Sequence, residues 1–174
     1  MAAETAKTCD VIVVAAGRGQ RFGADLPKQY APLAGQSVLR WTLAAFARHA
    51  RIRHVVPVIH PDDTERFAVE TAGLAVQPSV TGGATRQESV LRGLEALSAS
   101  PPDWILIHDG ARPAVDAGLI DRVLGGLAQS PAAIPVLAVA DTLKRIDANA
   151  VVQDTVPRTH LVRAQTPQGF HFDK

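Results

Sequence analysis

Short apolar runs rich in β-branched residues alternate along this chain with segments of helical period, and that alternation restricts the fold more than any other feature. A strand that reads as a near-continuous apolar run must be covered on both faces, the condition of a mostly parallel sheet with helices on either side. The runs at 10–14, 54–59, 74–77, 104–108 and 133–139 predict the strands of such an α/β fold. Between them, Leu39, Leu43 and Phe46 share one helical stripe behind a Ser37 cap, and Asp62 with Glu65 has capping-box spacing ahead of Phe67. Thr85 and Glu88 repeat that box before Val90, Leu91, Leu94 and Leu97. A fourth helix is expected from Asp116, with Leu119, Ile120, Val123, Leu124 and Leu127 facing the sheet. After Val139 the pattern changes: 142–146 and 151–156 flank the turn-like Asp147-Ala148-Asn149-Ala150 and predict a hairpin that leaves the sheet. The alternation stops at Lys174, soon after Thr166-Pro167-Gln168-Gly169, where another helix is expected, so residues 1–174 read as one domain cut short at its C-terminal side.

Composition removes several classes of function. With 47% hydrophobic residues in 174, the chain can bury a core. Eighteen Lys and Arg against 17 Asp and Glu leave a net charge of +1, and eight aromatics give little stacking surface, so no nucleic-acid partner is expected. Apolar runs such as 11–16 are too short to span a bilayer, and the N-terminus lacks a signal peptide, so the reading is cytoplasmic with no membrane partner. Cys9, the single cysteine, reads as a small buried hydrophobe.

In an open parallel sheet, ligands bind at the carboxyl ends of the strands, so the loops that follow the strands carry the functional signal. The first, from Ala15-Ala16-Gly17-Arg18-Gly19 to Arg21 and Gly23, lets backbone N–H groups approach an anion, and Lys28 follows. Arg18, Arg21 and Lys28 face only Asp25 in opposition, which suits a polyphosphate; the other reading is a glycine turn with solvated arginines. There is no G-x-x-x-x-G-K-[ST], and Gly23 falls one residue late for G-x-G-x-x-G, which disfavours a nicotinamide or flavin. After the third strand, Gly82-Gly83 leads into a capped helix whose free N–H groups favour an anionic ligand, with Arg86 and Ser89 in its first turn. After the fourth, His108-Asp109-Gly110-Ala111-Arg112 puts a carboxylate at a strand tip. Asp109 reads either as a Mg²⁺ ligand or as a loop cap paired with Arg112. His108 reads as a strand-end core histidine. The six histidines are scattered, and His-Glu-x-x-His, paired cysteines and Gly-x-Ser-x-Gly are absent from the sequence.

Taken in order, Ala15-Ala16-Gly17-Arg18-Gly19-Gln20-Arg21-Phe22, Pro27-Lys28-Gln29-Tyr30, Arg86-Gln87-Glu88-Ser89-Val90, His108-Asp109-Gly110-Ala111-Arg112-Pro113, Asp141-Thr142-Leu143-Lys144-Arg145 and Thr166-Pro167-Gln168 resemble the 2-C-methyl-D-erythritol 4-phosphate cytidylyltransferase family. The resemblance implies a Rossmann-like sheet with a β-hairpin dimerisation arm at about 141–160. It also implies transfer of CMP from CTP to methylerythritol phosphate with release of pyrophosphate, in non-mevalonate isoprenoid synthesis. On this resemblance Arg21 and Lys28 are catalytic, binding the triphosphate and stabilising the pentavalent α-phosphate, with Arg18 and Gly19 in the same loop. Ala15, Ala16, Gly17, Gly82, Gly83, Arg86 and Ser89 surround the nucleotide; some members carry an acidic residue where Ala84 stands. Asp109 corresponds to a carboxylate near Mg²⁺ and the acceptor, and Gly110, Arg112, Thr142, Arg158 and Thr166 lie around the acceptor phosphate. The arm implies a homodimer. Family members continue further, some into a downstream cyclodiphosphate synthase domain. The alternatives are a ribitol 5-phosphate cytidylyltransferase and a nucleotide-binding module without turnover.

Overall fold

The structure, a computed structural model, describes residues 7–18 and 26–173. In chain order, β1 (Cys9–Ala15) is followed by the small ribbon β2 (Pro32–Leu33) and β3 (Gln36–Ser37), then α1 (Val38–Ala47), β4 (His54–Ile59), α2 (Thr64–Glu70), β5 (Val80–Thr81) and α3 (Arg86–Leu97). Then come β6 (Trp104–Asp109), α4 (Ala117–Leu127), β7 (Ala132–Ala133), β8 (Val136–Ala138), β9 (Leu143–Ile146), β10 (Val152–Val156), β11 (Val162–Ala164) and β12 (Gln168–His171). The main sheet runs β5-β4-β1-β6-β12-β7. Its first four strands are parallel, and β12 lies antiparallel between β6 and β7.

The period of two along β1 divides the core. Val11 and Val13 point to the face covered by α1, α2 and α4, where they join Leu39, Leu43, Phe46, Phe67, Ile120 and Leu124. Ile12 points to the other face and packs with Val56, Val58, Leu97 and Ile105 under α3. Both faces of the central strands are thus dry, which is why β1, β4 and β6 read as continuous apolar runs.

The helix caps expected at Ser37 and Thr85 form, and Asp116 caps the helix expected from it: each side chain accepts the backbone N–H three residues on, and Thr85 with Glu88 makes the full reciprocal box. The box expected at Asp62 and Glu65 does not form. Residues Pro61–Asp63 make a single 3-10 turn in which His60 accepts the Asp62 N–H, and the Asp62 carboxylate is drawn to Arg18 instead.

The run 74–77 is not a strand. Gln77 N–H makes one bond to the Val55 carbonyl at 2.9 Å, Pro78 follows with no donor, and pairing with β4 begins only at Val80. The run 133–139 is split at Pro135: Ala132–Ala133 joins the main sheet, while Val136–Ala138 pairs with β11 in a separate ribbon. The segment after Thr166 enters the sheet as β12, with Gln168 opposite Ile107. The expected hairpin is present as β9 and β10, with Leu143 opposite Val156. In its turn Asp147 accepts the N–H groups of Asn149 and Val151, and Ala150 takes φ 61°.

Candidate functional site

Three loops converge at the carboxyl ends of the parallel strands. The loop after β1 is anchored from below by a residue that the sequence reading does not single out as a site residue. Gln29 is buried, and its Nε2 donates to the carbonyls of Ala15 (2.7 Å) and Gly17 (3.0 Å). Lys28, exposed at the start of the single 3-10 turn Lys28–Tyr30, is thereby held next to the first glycine loop. Gly110 N–H donates to the Val14 carbonyl of β1 and Gly82 N–H to the Ile59 carbonyl of β4, so the third and second loops are each stitched to the strand beside the one they follow. Arg21 and Gly19, both expected at the nucleotide phosphates, lie outside the described residues.

The second loop satisfies its own donors. Glu88 accepts from the N–H groups of Ala84 (2.6 Å) and Thr85 (3.3 Å), Thr85 Oγ1 accepts from Glu88 N–H, and Ser89 Oγ accepts from Gly83 N–H at 3.0 Å. At the helix start the capping box takes the Thr85 and Glu88 N–H groups, and no hydrogen bond among the described residues engages those of Arg86 and Gln87, the free N–H groups expected there. Ser89 is buried, and it donates its hydroxyl proton to the Thr85 carbonyl, so it shapes the glycine loop from beneath. Arg92 closes the other side by donating to the Gly82 carbonyl at 2.7 Å.

Asp109 joins the second and third loops. Its Oδ1 accepts from Arg86 Nε at 3.0 Å and its Oδ2 from Arg112 Nε at 2.9 Å, while Arg112 Nη1 reaches Gln165 Oε1 at 2.8 Å. Both carboxylate oxygens face arginines, the second of the two readings left open for Asp109. Each oxygen still keeps a lone pair. Among the described residues, no cluster of three or more His, Cys, Asp or Glu side chains could hold a metal ion. The donor set fits Mg²⁺ in the mode where one carboxylate is supplemented by phosphate oxygens and water.

Arg18 leans away from this cluster and onto the turn after β4. It donates to Asp62 (2.5 Å), Asp63 (3.1 Å) and His60 Nδ1 (2.6 Å). Asp63 Oδ2 and Tyr30 Oη are buried without a hydrogen-bond partner among the described residues, and burial beside Asp63 pushes the Tyr30 phenol up. Behind the third loop, His108 is buried at the tip of β6, with Nε2 at 3.0 Å from the Arg112 carbonyl and Nδ1 at 3.0 Å from Thr166 Oγ1. Burial pushes its imidazole down to about 4. His108, Arg112, Gln165 and Thr166 border a cavity of about 860 Å³ walled by α4 and β7–β8. Thr142 and Arg158 stand apart at the base of the β9–β10 hairpin, where Arg158 donates to the Ala140 carbonyl.

An open, mostly parallel sheet with glycine loops and arginines gathered along its carboxyl rim defines the class as an α/β protein whose candidate site lies at that edge. The model of the family "2-C-methyl-D-erythritol 4-phosphate cytidylyltransferase" matches residues 9–174, and the chain belongs to that family. It is 56% identical over 163 residues to a protein of Rhodospirillum rubrum named bifunctional enzyme IspD/IspF, covering 93% of this chain and 42% of that protein. A protein of the same name from Paramagnetospirillum magneticum is 58% identical over 162 residues, with the same coverage. The chain thus spans about two fifths of the length of these relatives. Among solved structures, the 4-diphosphocytidyl-2C-methyl-D-erythritol synthase of Anaerococcus prevotii superposes with a TM-score of 0.82 at 30% identity, covering 97% of this chain and 71% of that one. The 2-C-methyl-D-erythritol 4-phosphate cytidylyltransferase of Thermus thermophilus gives 0.74 at 38% identity, covering 95% and 71%.

Proposed function

We propose that the protein transfers CMP from CTP to 2-C-methyl-D-erythritol 4-phosphate, releasing pyrophosphate and forming 4-diphosphocytidyl-2-C-methyl-D-erythritol for isoprenoid synthesis. The observation that carries this reading is the tie from Gln29 to the Ala15 and Gly17 carbonyls, which holds Lys28 beside the first glycine loop. That loop follows β1, and the Arg86–Asp109–Arg112 cluster follows β6, the strand hydrogen-bonded to it. A triphosphate on the first loop and an acceptor phosphate beside Arg112 meet at neighbouring strand ends.

An acceptor phosphate oxygen attacks the α-phosphorus in line, and the bond to the pyrophosphate oxygen breaks as the new one forms. No protein nucleophile is needed. The protein's work is positioning and neutralising charge, assigned to Lys28 and Arg21 at the α-phosphate and to Arg112, Arg158, Thr142 and Thr166 at the acceptor. Ala15, Ala16, Gly17, Gly82 and Gly83 supply backbone groups that select cytosine. Mg²⁺ held by Asp109 would offset phosphate charge.

The hairpin is assigned as a dimerisation arm because Ile146 and Val152, each 57% exposed, and Val151, 55% exposed, are apolar side chains that a single subunit leaves uncovered. Sedimentation should report a dimer at micromolar concentration; a monomer removes the arm assignment. A cytoplasmic location accords with the free, buried Cys9 and with the absence, among the described residues, of any helix long and apolar enough to cross a membrane.

The reading is tested by pyrophosphate release from the full-length protein with Mg²⁺, crossing CTP, UTP and ATP with methylerythritol phosphate and ribitol 5-phosphate. Release confined to CTP with methylerythritol phosphate is expected. Release confined to ribitol 5-phosphate moves the assignment to that acceptor, and silence throughout favours a binding module.

A further inference from the structure

His108 reads from sequence as a core histidine, and its surroundings give it a more specific task. On β6, Leu106 packs on the face covered by α1 and α4, and His108, two residues on, meets the edge of the α1 ring Phe46 with centroids 4.9 Å apart. Its two ring nitrogens are both engaged, by partners from different segments.

The partner at Nε2 is the Arg112 carbonyl, which can only accept. Nε2 therefore carries the proton. Nδ1 is hydrogen-bonded to Thr166 Oγ1 at 3.0 Å. A closed cycle results. Arg112 reaches Gln165 through its guanidinium, Gln165 is bonded along the chain to Thr166, Thr166 is hydrogen-bonded to His108, and His108 donates back to the Arg112 carbonyl. Asp109 fixes the guanidinium from the other side.

We infer that His108 is a positioning residue of the acceptor subsite: its two ring nitrogens lock Arg112 and Thr166 into one frame, so that a polyol phosphate meets a guanidinium already aimed at it. This rests on the transfer reading given above. The nucleotide loops share no side-chain contact with the ring among its described hydrogen bonds, so binding of CTP should not depend on it.

The test uses the full-length protein and steady-state kinetics with both substrates varied. His108→Phe fills the ring's space and removes both hydrogen bonds. It should raise KM for methylerythritol phosphate about tenfold while leaving KM for CTP within about twofold. His108→Gln, whose amide can donate to the Arg112 carbonyl, should recover most of that loss. Equal changes in both KM values, or none in either, overturn the inference. The imidazole ¹⁵N spectrum of the wild-type protein at pH 7 is an independent reading that holds even should the Phe variant fail to fold. A protonated Nε2 is expected, and a ring protonated at Nδ1 alone overturns the proposal. A wild-type protein that turns over no substrate refutes the transfer reading instead, and the ring spectrum still decides the tautomer.

Discussion

Gly82 packs against Ala16 so closely that a β-carbon at position 82 would overlap the Ala16 methyl and come within 3.0 Å of Ser89 Oγ. The paired-glycine loop and the first glycine loop are therefore two sides of one wall, joined by the absence of a side chain. Gly82→Ala should push them apart, destabilising the fold by about 1–3 kcal/mol and weakening CTP binding together with it. Urea unfolding and a nucleotide titration on the same variant check this. A variant with unchanged midpoint and unchanged affinity would separate the two loops functionally.

Lys28 is the exposed residue of a turn whose other two residues, Gln29 and Tyr30, are buried, with Gln29 tied to the first loop. Lys28→Ala should lower kcat/KM by about 10²–10³-fold in a protein that still folds, the usual consequence of losing one preorganised charge at a reacting phosphate. Arg21→Ala is expected to behave alike. Near-normal turnover in either variant removes its catalytic assignment.

Asp109→Asn keeps the shape of the side chain and removes the charge shared by Arg86 and Arg112. The Mg²⁺ concentration needed for half-maximal turnover should rise. A Mg²⁺ titration superimposable on that of the wild type would move the metal to another site.

His108 also makes stability depend on pH. Burial lowers its imidazole from 6.5 to about 4, opposed by the hydrogen bond to the Arg112 carbonyl and by Asp109 and reinforced by the Arg112 charge. The unfolded chain binds a proton here below about pH 6.5 and the folded chain only below about pH 4, so the unfolded state holds more protons throughout that window and stability rises with pH across it. The contribution is fully present above pH 6.5, and acidification to pH 4 removes about 3 kcal/mol through this one group. Urea midpoints measured between pH 4 and 7 should fall less steeply in His108→Gln than in the wild type. Parallel profiles would contradict the assignment.

What is legible in the sequence is what is local. The strand at His54–Ile59 and the caps at Ser37, Thr85 and Asp116 each depend on residues within a few positions of one another. The two-residue strand at Val80–Thr81 escapes a sequence reading because its strand character comes only from lying beside Val58 and Ile59, while the more apolar 74–77 is stopped by Pro78. Strand β12 is hidden by Gly169, a weak strand former that is needed there because a β-carbon would come within 2.9 Å of Val123 and Leu127 on α4. At the site, residue types at loop tips are readable, but their partners are not. That Ser89 holds a loop from beneath, that Arg18 turns to Asp62 and Asp63, and that His108 joins Arg112 to Thr166 are all consequences of how the chain folds around these residues.

The most direct test of the central claim is ³¹P NMR of the full-length protein incubated with CTP, methylerythritol phosphate and Mg²⁺. The account predicts that the triphosphate signals give way to pyrophosphate and a pair of mutually coupled doublets from an unsymmetrical diphosphate diester, in equal amounts and only with both substrates present. Pyrophosphate with CMP and an unchanged acceptor signal, or no change in any signal, would contradict it.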